Sequence, residues 1–411
     1  MANAFTNTSL VTKHAVKEFL NALQMAGKVD RQLDKEFRKV GDTITVRRPV
    51  MFAATEGATI SSAQDIEEAG VTVQLTERKK VNFEITSQDM TLEIEDAVTR
   101  YIRPAMEELA QDVESHIASK YTDIYNFVGT PGTTPSTFLD VANAGAKLSN
   151  LGVPMSGDWC AFFNPNASVS LANGLKGVFP QDIASRALKE ASIGRYAKFS
   201  MFENQSIASH TVGAATGTIL VDDAGTISVT YAASKNTDTQ TLNIDGVADT
   251  SAALAFLAGD VFTLAGVNSV NRRTRADTGE LAQFTVTADS IASSATTDNI
   301  PLTISPPIII TGPYQTCTAA PADDAVVTIL TGTAATSYPQ NLGWHPNAIT
   351  LAMAPLATPT DGATSARESF KNVSIRSVRQ YDITNDKTIF RFDILYGVVV
   401  QNRGFAVRIT G

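Results

Sequence analysis

The stretch that decides the fold runs over residues 94–128 and reads IEDAVTRYIRPAMEELAQDVESHIASKYTDIYNFV. Its apolar residues recur at steps of three or four, which is the spacing of side chains along one face of an α-helix. The pattern predicts one helix of about thirty residues, roughly 50 Å long at a rise of 1.5 Å per residue. Pro104 is expected in a first turn or at a bend, because proline damages a helix interior. The apolar stripe comprises Ile94, Val98, Ile102, Met106, Leu109, Val113, Ile117, Tyr121, Ile124 and Val128.

The opposite face of this predicted helix is polar. It is expected either to be solvated or to meet neighbouring subunits, and the sequence leaves both interpretations open. This face carries Glu95, Arg103, Glu107, Glu108, Gln111, Glu114 and Lys120.

Strand patterns precede the helix. Residues 43–50, 71–76 and 81–86 alternate apolar and polar side chains, and the polar stretch 53–70 separates the first pattern from the other two. We expect a two-stranded arm with an extended tip. A lone two-stranded ribbon is marginal in water, so this arm needs a neighbour to lie on.

The amino-terminal arm is locally basic. Its first fifty residues hold nine Lys/Arg against five Asp/Glu, and Val16, Phe19, Leu20 and Leu23 form the apolar side of a short helix. Such an arm suits a polyanion or an acidic partner, although a merely solvated helix face is an equally good interpretation. The candidate contact residues are Lys13, Lys17, Lys28, Arg31, Arg38 and Lys39.

After the long helix, helical and strand patterns alternate, which predicts an α+β parent domain. Helices are expected at 138–151, 167–175 and 181–190. Strands are expected at 159–163, 196–203, 349–353 and 373–380, and a closing hairpin is expected to run from 389–400 to 406–409.

Residues 214–343 differ from their flanks in composition and are interpreted as an inserted domain. Only four of the 33 basic residues lie there, against twelve acidic residues, so the insert carries −8 of the chain's −9. Short strand patterns at 218–221, 226–231, 241–244, 261–264, 281–287 and 326–330 predict a small barrel or sandwich.

No pattern of catalytic or metal-binding residues is evident. Cys160 and Cys317 are far apart, and His14, His116, His210 and His345 lack the spacing of zinc ligands. The Gly-rich stretch 213–218 lacks the lysine of a P-loop, and the acidic pairs Asp222-Asp223 and Asp323-Asp324 are ordinary loop residues with a minor alternative as cation ligands. We therefore expect no enzyme, cofactor or metal. We also expect a soluble chain with no membrane segment, made in a reducing compartment.

Three short motifs and the order of elements carry a resemblance to a known family. The motifs are Phe163-Asn164-Pro165, then Gly259-Asp260 with Ala265-Gly266-Val267, then Leu395-Tyr396-Gly397-Val398 with Asn402-Arg403. With this order, the chain resembles the major capsid proteins of tailed double-stranded-DNA phages, whose fold is called HK97-like. It is most similar to the podovirus type with an inserted β-barrel, and its loops at 272–275 and 291–318 depart from that pattern.

The resemblance implies a division into an arm (1–42), an extended loop over a neighbouring subunit (43–86), a peripheral domain with a spine helix (87–158), an axial domain (159–213), the inserted β domain (214–343) and a return segment (344–411). It implies subunit contacts at Arg47 and Arg48 and at the insert tip holding Lys235 and Asp238. The implied partners are other copies in pentamers and hexamers, a scaffolding protein, a portal protein and packaged DNA. The implied location is the virion, after assembly in the host cytoplasm.

Two alternatives remain at the level of sequence. A phage tail-tube or decoration protein shares the β-rich insert but gives no reason for a thirty-residue spine and a basic arm. A carbohydrate-binding or hydrolytic module requires a pocket in the insert, with Asp323 or Asp324 as the residues to test.

Overall fold

The computed structural model describes residues 8–31, 43–48, 50–52, 70–86, 101–175, 194–222, 238–251, 253–296, 299–359 and 363–411. Contacts divide the chain into two compact units, each discontinuous in sequence. The first unit is Met1–Val46, Thr72–Ile117 and Ile349–Val399, and the second is Arg47–Val71, Ala118–Ala348 and Val400–Gly411. The predicted six-part division of the chain stays a prediction.

The helices are α1 (Thr8–Ala22), α2 (Arg103–Ser119), α3 (Phe138–Asn150) and α4 (Pro165–Leu175). The strands are β1 (Thr43–Arg47), β2 (Gly70–Gln74), β3 (Glu77–Thr86), β4 (Phe127–Val128), β5 (Trp159–Phe163), β6 (Arg195–Tyr196), β7 (Phe199–Glu203), β8 (Ser209–Thr211), β9 (Gly217–Val221), β10 (Gln240–Val247), β11 (Val261–Val270), β12 (Asp277–Val286), β13 (Ile300–Ser305), β14 (Val327–Ile329), β15 (Ser337–Pro339), β16 (Asn341–Trp344), β17 (Ile349–Met353), β18 (Thr364–Phe370), β19 (Val373–Asp382), β20 (Lys387–Val400) and β21 (Ala406–Ile409). Short 3-10 turns lie at Met25–Gly27, Lys120–Asp123, Pro346–Ala348 and Arg403–Phe405.

The first unit is built on a five-stranded sheet. Its order is β17-β20-β19-β18, and β3 joins it by pairing with β20 over ten residues, from Glu77 opposite Tyr396 to Thr86 opposite Lys387. Helix α1 packs on β18 and β19. Of the predicted apolar stripe, Val16 and Phe19 are buried, whereas Leu20 and Leu23 are only partly buried. Val11 and Ala15 complete the buried side of α1.

A buried carboxylate on α2 fixes the segment that follows α1 in the amino-terminal arm. Glu114 accepts backbone N–H bonds from Gln24 (3.0 Å), Met25 (2.8 Å) and Ala26 (3.0 Å), and its side chain is almost fully buried. Three charge-assisted bonds offset the cost of burying the carboxylate. The expectation that Glu114 lies on a solvated or subunit-facing surface is therefore wrong.

Helix α2 is shorter than the sequence pattern predicts. It ends at Ser119, and Lys120–Asp123 then tighten into a 3-10 turn, Ile124 is extended and Val128 belongs to β4. The helical register is lost because β4 pairs in parallel with β21 and the Gln283 amide bonds both the N–H and the carbonyl of Phe127. Residues 94–100 of the predicted helix lie outside the described residues.

The second unit contains a mixed six-stranded sheet in the order β4-β21-β16-β5-β7-β6. Its strand β5 is buried throughout, and α3 and α4 share an apolar core with this sheet that includes Leu148, Trp159 and Phe199. Helix α3 begins with a capping box between Thr137 and Asp140. The elements predicted for residues 138–175 are confirmed.

The insert is a six-stranded barrel in the same unit. Its strands follow the order β14-β11-β12-β13-β10-β9, and a bridge between Leu220 and Val326 joins the two edges. Alternate side chains from these strands fill an apolar interior around Phe256, Phe262 and Phe284. The antiparallel pair β8 and β15 lies where the chain enters and leaves the barrel.

Two predicted strand pairings are wrong. Only β1 and β2 form the predicted two-stranded arm, because β3 pairs with β20. The closing hairpin is wrong, since β21 pairs with β16 and β4 in a different sheet from β20. Strands β8, β13, β15, β16 and β18 were not predicted. The strand expected at 226–231 and the helix expected at 181–190 lie outside the described residues.

Candidate subunit-contact site

The predicted contact residues Arg48 and Asp238 bind each other within one chain. Arg48 follows β1 directly, and both of its terminal nitrogens donate to the Asp238 carboxylate, Nη2 to Oδ2 at 2.6 Å and Nη1 to Oδ1. Its Nε donates to the Gln401 carbonyl at 2.8 Å. The Arg48 side chain is 20% exposed and the Asp238 side chain 36% exposed. We call Arg48, Asp238 and the Gln401 carbonyl the Arg48 anchor.

The charge around Asp238 favours its ionised form. Burial alone would raise the pKa of this carboxyl, but the hydrogen bond and charge of Arg48, with the charges of Arg403 and Arg272, hold its pKa below the ordinary value. Arg403 also pairs with Asp123 at 3.2 Å, and Arg272 donates to the Tyr125 hydroxyl at 2.9 Å. Asp238 therefore stays charged at neutral pH and keeps its bidentate partner.

Two more bonds hold the chain just after Arg48 against the insert. The Met51 N–H donates to the Tyr314 hydroxyl at 3.2 Å, and Arg275 Nη2 donates to the Phe52 carbonyl at 2.8 Å. The Phe52 side chain itself is exposed. Residues 48–52 thus have polar contacts with three separate parts of the insert.

The remaining predicted contact residues are spread over the chain. Arg47 is exposed at the end of β1, and Lys235 lies outside the described residues. On the arm, Lys13 and Lys17 are exposed on α1, and Lys13 lies 3.8 Å from Glu368. Lys28 and Arg31 are partly buried, and the Arg31 carbonyl accepts from Asn372. Arg38 and Lys39 lie outside the described residues.

A fully buried arginine joins the insert to the six-stranded sheet. Arg408 on β21 donates to the Ile124 carbonyl (2.9 Å), the Gly259 carbonyl (2.6 Å) and the Thr285 hydroxyl (3.3 Å), and its guanidinium lies 5.2 Å from the centre of the Tyr121 ring. Burial lowers the pKa of Arg408 to about 10, so it remains a cation at neutral pH. Gly259 and Thr285 belong to the insert and Ile124 does not, so Arg408 connects the insert to the rest of the second unit.

Asp260 organises the same junction from the insert side. Its Oδ1 lies 2.8 Å from Nε2 of His210 and accepts from Thr331, while Oδ2 accepts the N–H groups of Gly213 (3.0 Å) and Leu257 (2.8 Å). Nδ1 of His210 lies 3.2 Å from the Tyr121 hydroxyl. His210 thus has the structural role that the sequence predicts, at the junction of the insert.

The first unit has its own buried charge cluster. Asp393 on β20 is completely buried and contacts Arg78 (3.3 Å), Arg376 (2.5 Å) and Arg391 (2.9 Å). These arginines come from β3, β19 and β20, so the carboxylate ties three strands together. The cluster lies on one face of the sheet. Ser377, whose hydroxyl is hydrogen-bonded to Thr12 of α1, lies on the other face.

Sequence reasoning missed Arg408, Asp393 and Glu114 as structural centres. Each has one local signal: Arg408 and Asp393 interrupt apolar strand runs, and Glu114 sits beside apolar helix positions. A charged side chain within an apolar strand or helix face is buried only when it is paired. A single charge in an apolar run therefore indicates a partner elsewhere in the chain. Asp260 was noted as part of a family motif.

The described residues contain no group of three or more His, Cys, Asp or Glu side chains arranged to hold a metal ion. Burial and the nearby charges of Asp222, Asp324 and Asp323 raise the pKa of Asp245 in the insert. Within the same described part, no helix is both long and apolar enough to cross a bilayer.

The chain belongs to the family described as P22 coat protein - gene protein 5, and the family match covers residues 1–411. No curated protein sequence matches the chain.

The chain is also similar to several solved phage structures. A Mycobacterium phage Che8 chain is 14% identical, with 94% of this chain and 90% of that chain covered at a TM-score of 0.46. A capsid structure of the cyanophage P-SCSP1u is 10% identical, with 92% and 85% covered at a TM-score of 0.44. The CUS-3 coat protein I-domain is 30% identical over 28% of this chain and 97% of that chain, at a TM-score of 0.20.

Family membership confirms the predicted class. The protein is a structural major capsid protein of a tailed phage with an HK97-like α+β fold, and the tail-tube or decoration alternative is not favoured. As a capsid protein it associates with its own copies and is a component of the virion.

Proposed function

We propose that this chain forms the pentamers and hexamers of an icosahedral head that encloses double-stranded DNA. Copies assemble in the host cytoplasm with a scaffolding protein and a portal protein into a precursor shell, which becomes larger as DNA enters. The role requires no catalytic step and no cofactor. The observation that supports this proposal most is the family match over the whole chain.

The contact region assigned to this function is the surface around Arg47, Arg48, Lys235 and Asp238. Residues 43–86 are proposed to lie over a neighbouring subunit, and the insert tip is proposed to meet another copy across a two-fold axis. Each contact is modest, but a closed shell repeats it many times, and a subunit held at one edge meets the next edge at high effective concentration.

Assembly is tested by sedimentation velocity of the purified full chain, alone and mixed with scaffolding protein. We expect slow subunits or capsomers alone and fast-sedimenting particles in the mixture. A chain that sediments as a monomer under both conditions contradicts the proposal.

The basic arm is proposed to contact the scaffolding protein or packaged DNA. The apolar side of α1 is buried on the sheet, so Lys13 and Lys17 point away from it into solvent, where phosphate contacts are non-specific and salt-dependent. Replacing both lysines by alanine is expected to reduce the salt dependence of DNA binding by about one unit of slope per lost phosphate contact.

Fluorescence anisotropy with a labelled DNA duplex over a range of salt concentrations measures this slope. Arg103→Ala is the control, because Arg103 is an exposed cation outside the arm. If the control loses as much slope as the arm variant, the salt dependence reflects the overall charge of the protein and not a DNA contact by the arm.

A further inference from the structure

The Arg48 anchor uses all three guanidinium nitrogens of one side chain inside a single chain. Two nitrogens of Arg48 bind the two oxygens of Asp238, and the third binds the Gln401 carbonyl. A planar guanidinium matches a carboxylate in this bidentate arrangement, which fixes orientation as well as distance. Arg48 is thus committed to its own chain, and Asp238 has its cationic partner without another copy.

The anchor joins described residues of two regions assigned to subunit contacts. Arg48 and Phe52 belong to the proposed extended loop, 43–86, and the Phe52 carbonyl accepts from Arg275 of the insert. Asp238 belongs to the proposed insert tip. One ion pair therefore joins the described part of the extended loop to the insert.

We propose that Arg48 and Asp238 are positioning residues that couple the extended loop to the insert tip within one subunit. They hold residues 47–48 and 51–52 against the insert, and Arg47 of this surface meets a neighbouring copy. The inference rests on the proposed function of both segments in assembly. It differs from an interface role because Arg48 and Asp238 act through each other before any neighbour binds.

The charges that face the anchor determine when it forms. Asp238 faces the cations Arg48, Arg272 and Arg403, and the nearby Asp123 partly neutralises Arg403. A carboxyl with a lowered folded pKa stabilises the folded arrangement above its ordinary pKa of about 3.9, and this contribution is lost as pH falls through the lower folded value. The anchor is thus intact at neutral and mildly acidic pH.

A double-mutant cycle in the unassembled full chain tests the coupling. Hydrogen exchange of peptides covering 48–52 and 238–240 is measured in Arg48→Ala, Asp238→Ala and the double variant, with Arg47→Ala as the matched control. Each anchor variant is expected to exchange about fivefold faster than the parent in both peptides, which corresponds to a partly exposed bidentate pair. The double variant is expected to match the single variants, and Arg48→Lys to lie between them and the parent.

The outcomes separate an anchor from two independent surface residues. Additive effects in the double variant, or a change confined to the mutated peptide, overturn the coupling. The exchange rate of Asp238→Ala is expected to exceed that of the parent at every pH down to the ordinary aspartate pKa. The two rates are expected to become equal only below that pH. Rates that become equal near neutral pH also contradict the anchor.

Particle yield with scaffolding protein then tests the positioning role. Arg48→Ala and Asp238→Ala are expected to lower the yield by the same factor, and the double variant by no more than either. Unchanged yield despite faster exchange overturns positioning. Failure of the parent chain itself to form particles counts against the proposed function and leaves the exchange result to stand separately.

Discussion

Replacement of Arg408 by alanine is expected to lower the free energy of unfolding of the second unit by about 3–5 kcal/mol, the combined cost of buried acceptors left without a donor and of a large-to-small change in the interior. The side chain is fully buried, and its loss leaves the Ile124 and Gly259 carbonyls without their donor. It also removes the cation stacked on Tyr121 and opens a cavity the size of an arginine side chain. We expect most of the protein to be insoluble on expression, with a reduced thermal midpoint in the soluble part.

Two further variants distinguish the loss of the buried hydrogen bonds from the loss of a positive charge. Arg408→Lys keeps the charge but reaches fewer acceptors, so its thermal midpoint is expected between those of alanine and the parent. Arg195→Ala removes an exposed cation that pairs with the exposed Asp158, and it is expected to cost at most about 1 kcal/mol. An Arg408→Ala protein as stable as Arg195→Ala would falsify this role for the buried network.

Asp393→Ala is the second substitution with a large expected effect. It leaves Arg78, Arg376 and Arg391 close together with no carboxylate between them, in a place where Asp393 has no exposure to water. Arg78 and Arg391 are 50% and 33% exposed, so water screens part of their repulsion, and the lost charged hydrogen bonds are expected to destabilise the first unit by about 2–3 kcal/mol. Denaturant unfolding monitored by far-UV circular dichroism measures the decrease in the free energy of unfolding.

The matched control for Asp393 is Glu107→Ala on α2. Glu107 is exposed and pairs with Arg103 one helical turn away, so its removal is expected to cost about 0.3–0.5 kcal/mol. Asp393→Asn preserves size while removing charge, and it is expected to be nearly as harmful as alanine. If Asp393→Asn retains the parent's stability, hydrogen bonding and not charge holds the three strands together.

Local patterns in the sequence predicted local elements well. The helical pattern of α3, the apolar run of β5 and the strand patterns at 261–264 and 349–353 each depend on neighbours within a few residues, and each prediction is confirmed. The fold class followed from the order of such elements. These features are encoded within the segments that display them.

Pairing between distant segments could not be predicted in the same way. The periodicity past Ser119 looked helical, but β4 pairs with β21 nearly three hundred residues later. β20 and β21 looked like a hairpin, yet each has a better partner in a different sheet. Similarly, Arg48 and Asp238 were each selected as contact residues, while their mutual ion pair depends on tertiary placement.

Cryo-electron microscopy of the full chain co-expressed with its scaffolding protein tests the central claim most directly. The account predicts closed icosahedral shells whose capsomers are pentamers and hexamers of this chain, with the inserted barrel resolved in every copy. Particles that are only isolated rings or open tubes, or a field of monomers with no shells, would contradict it.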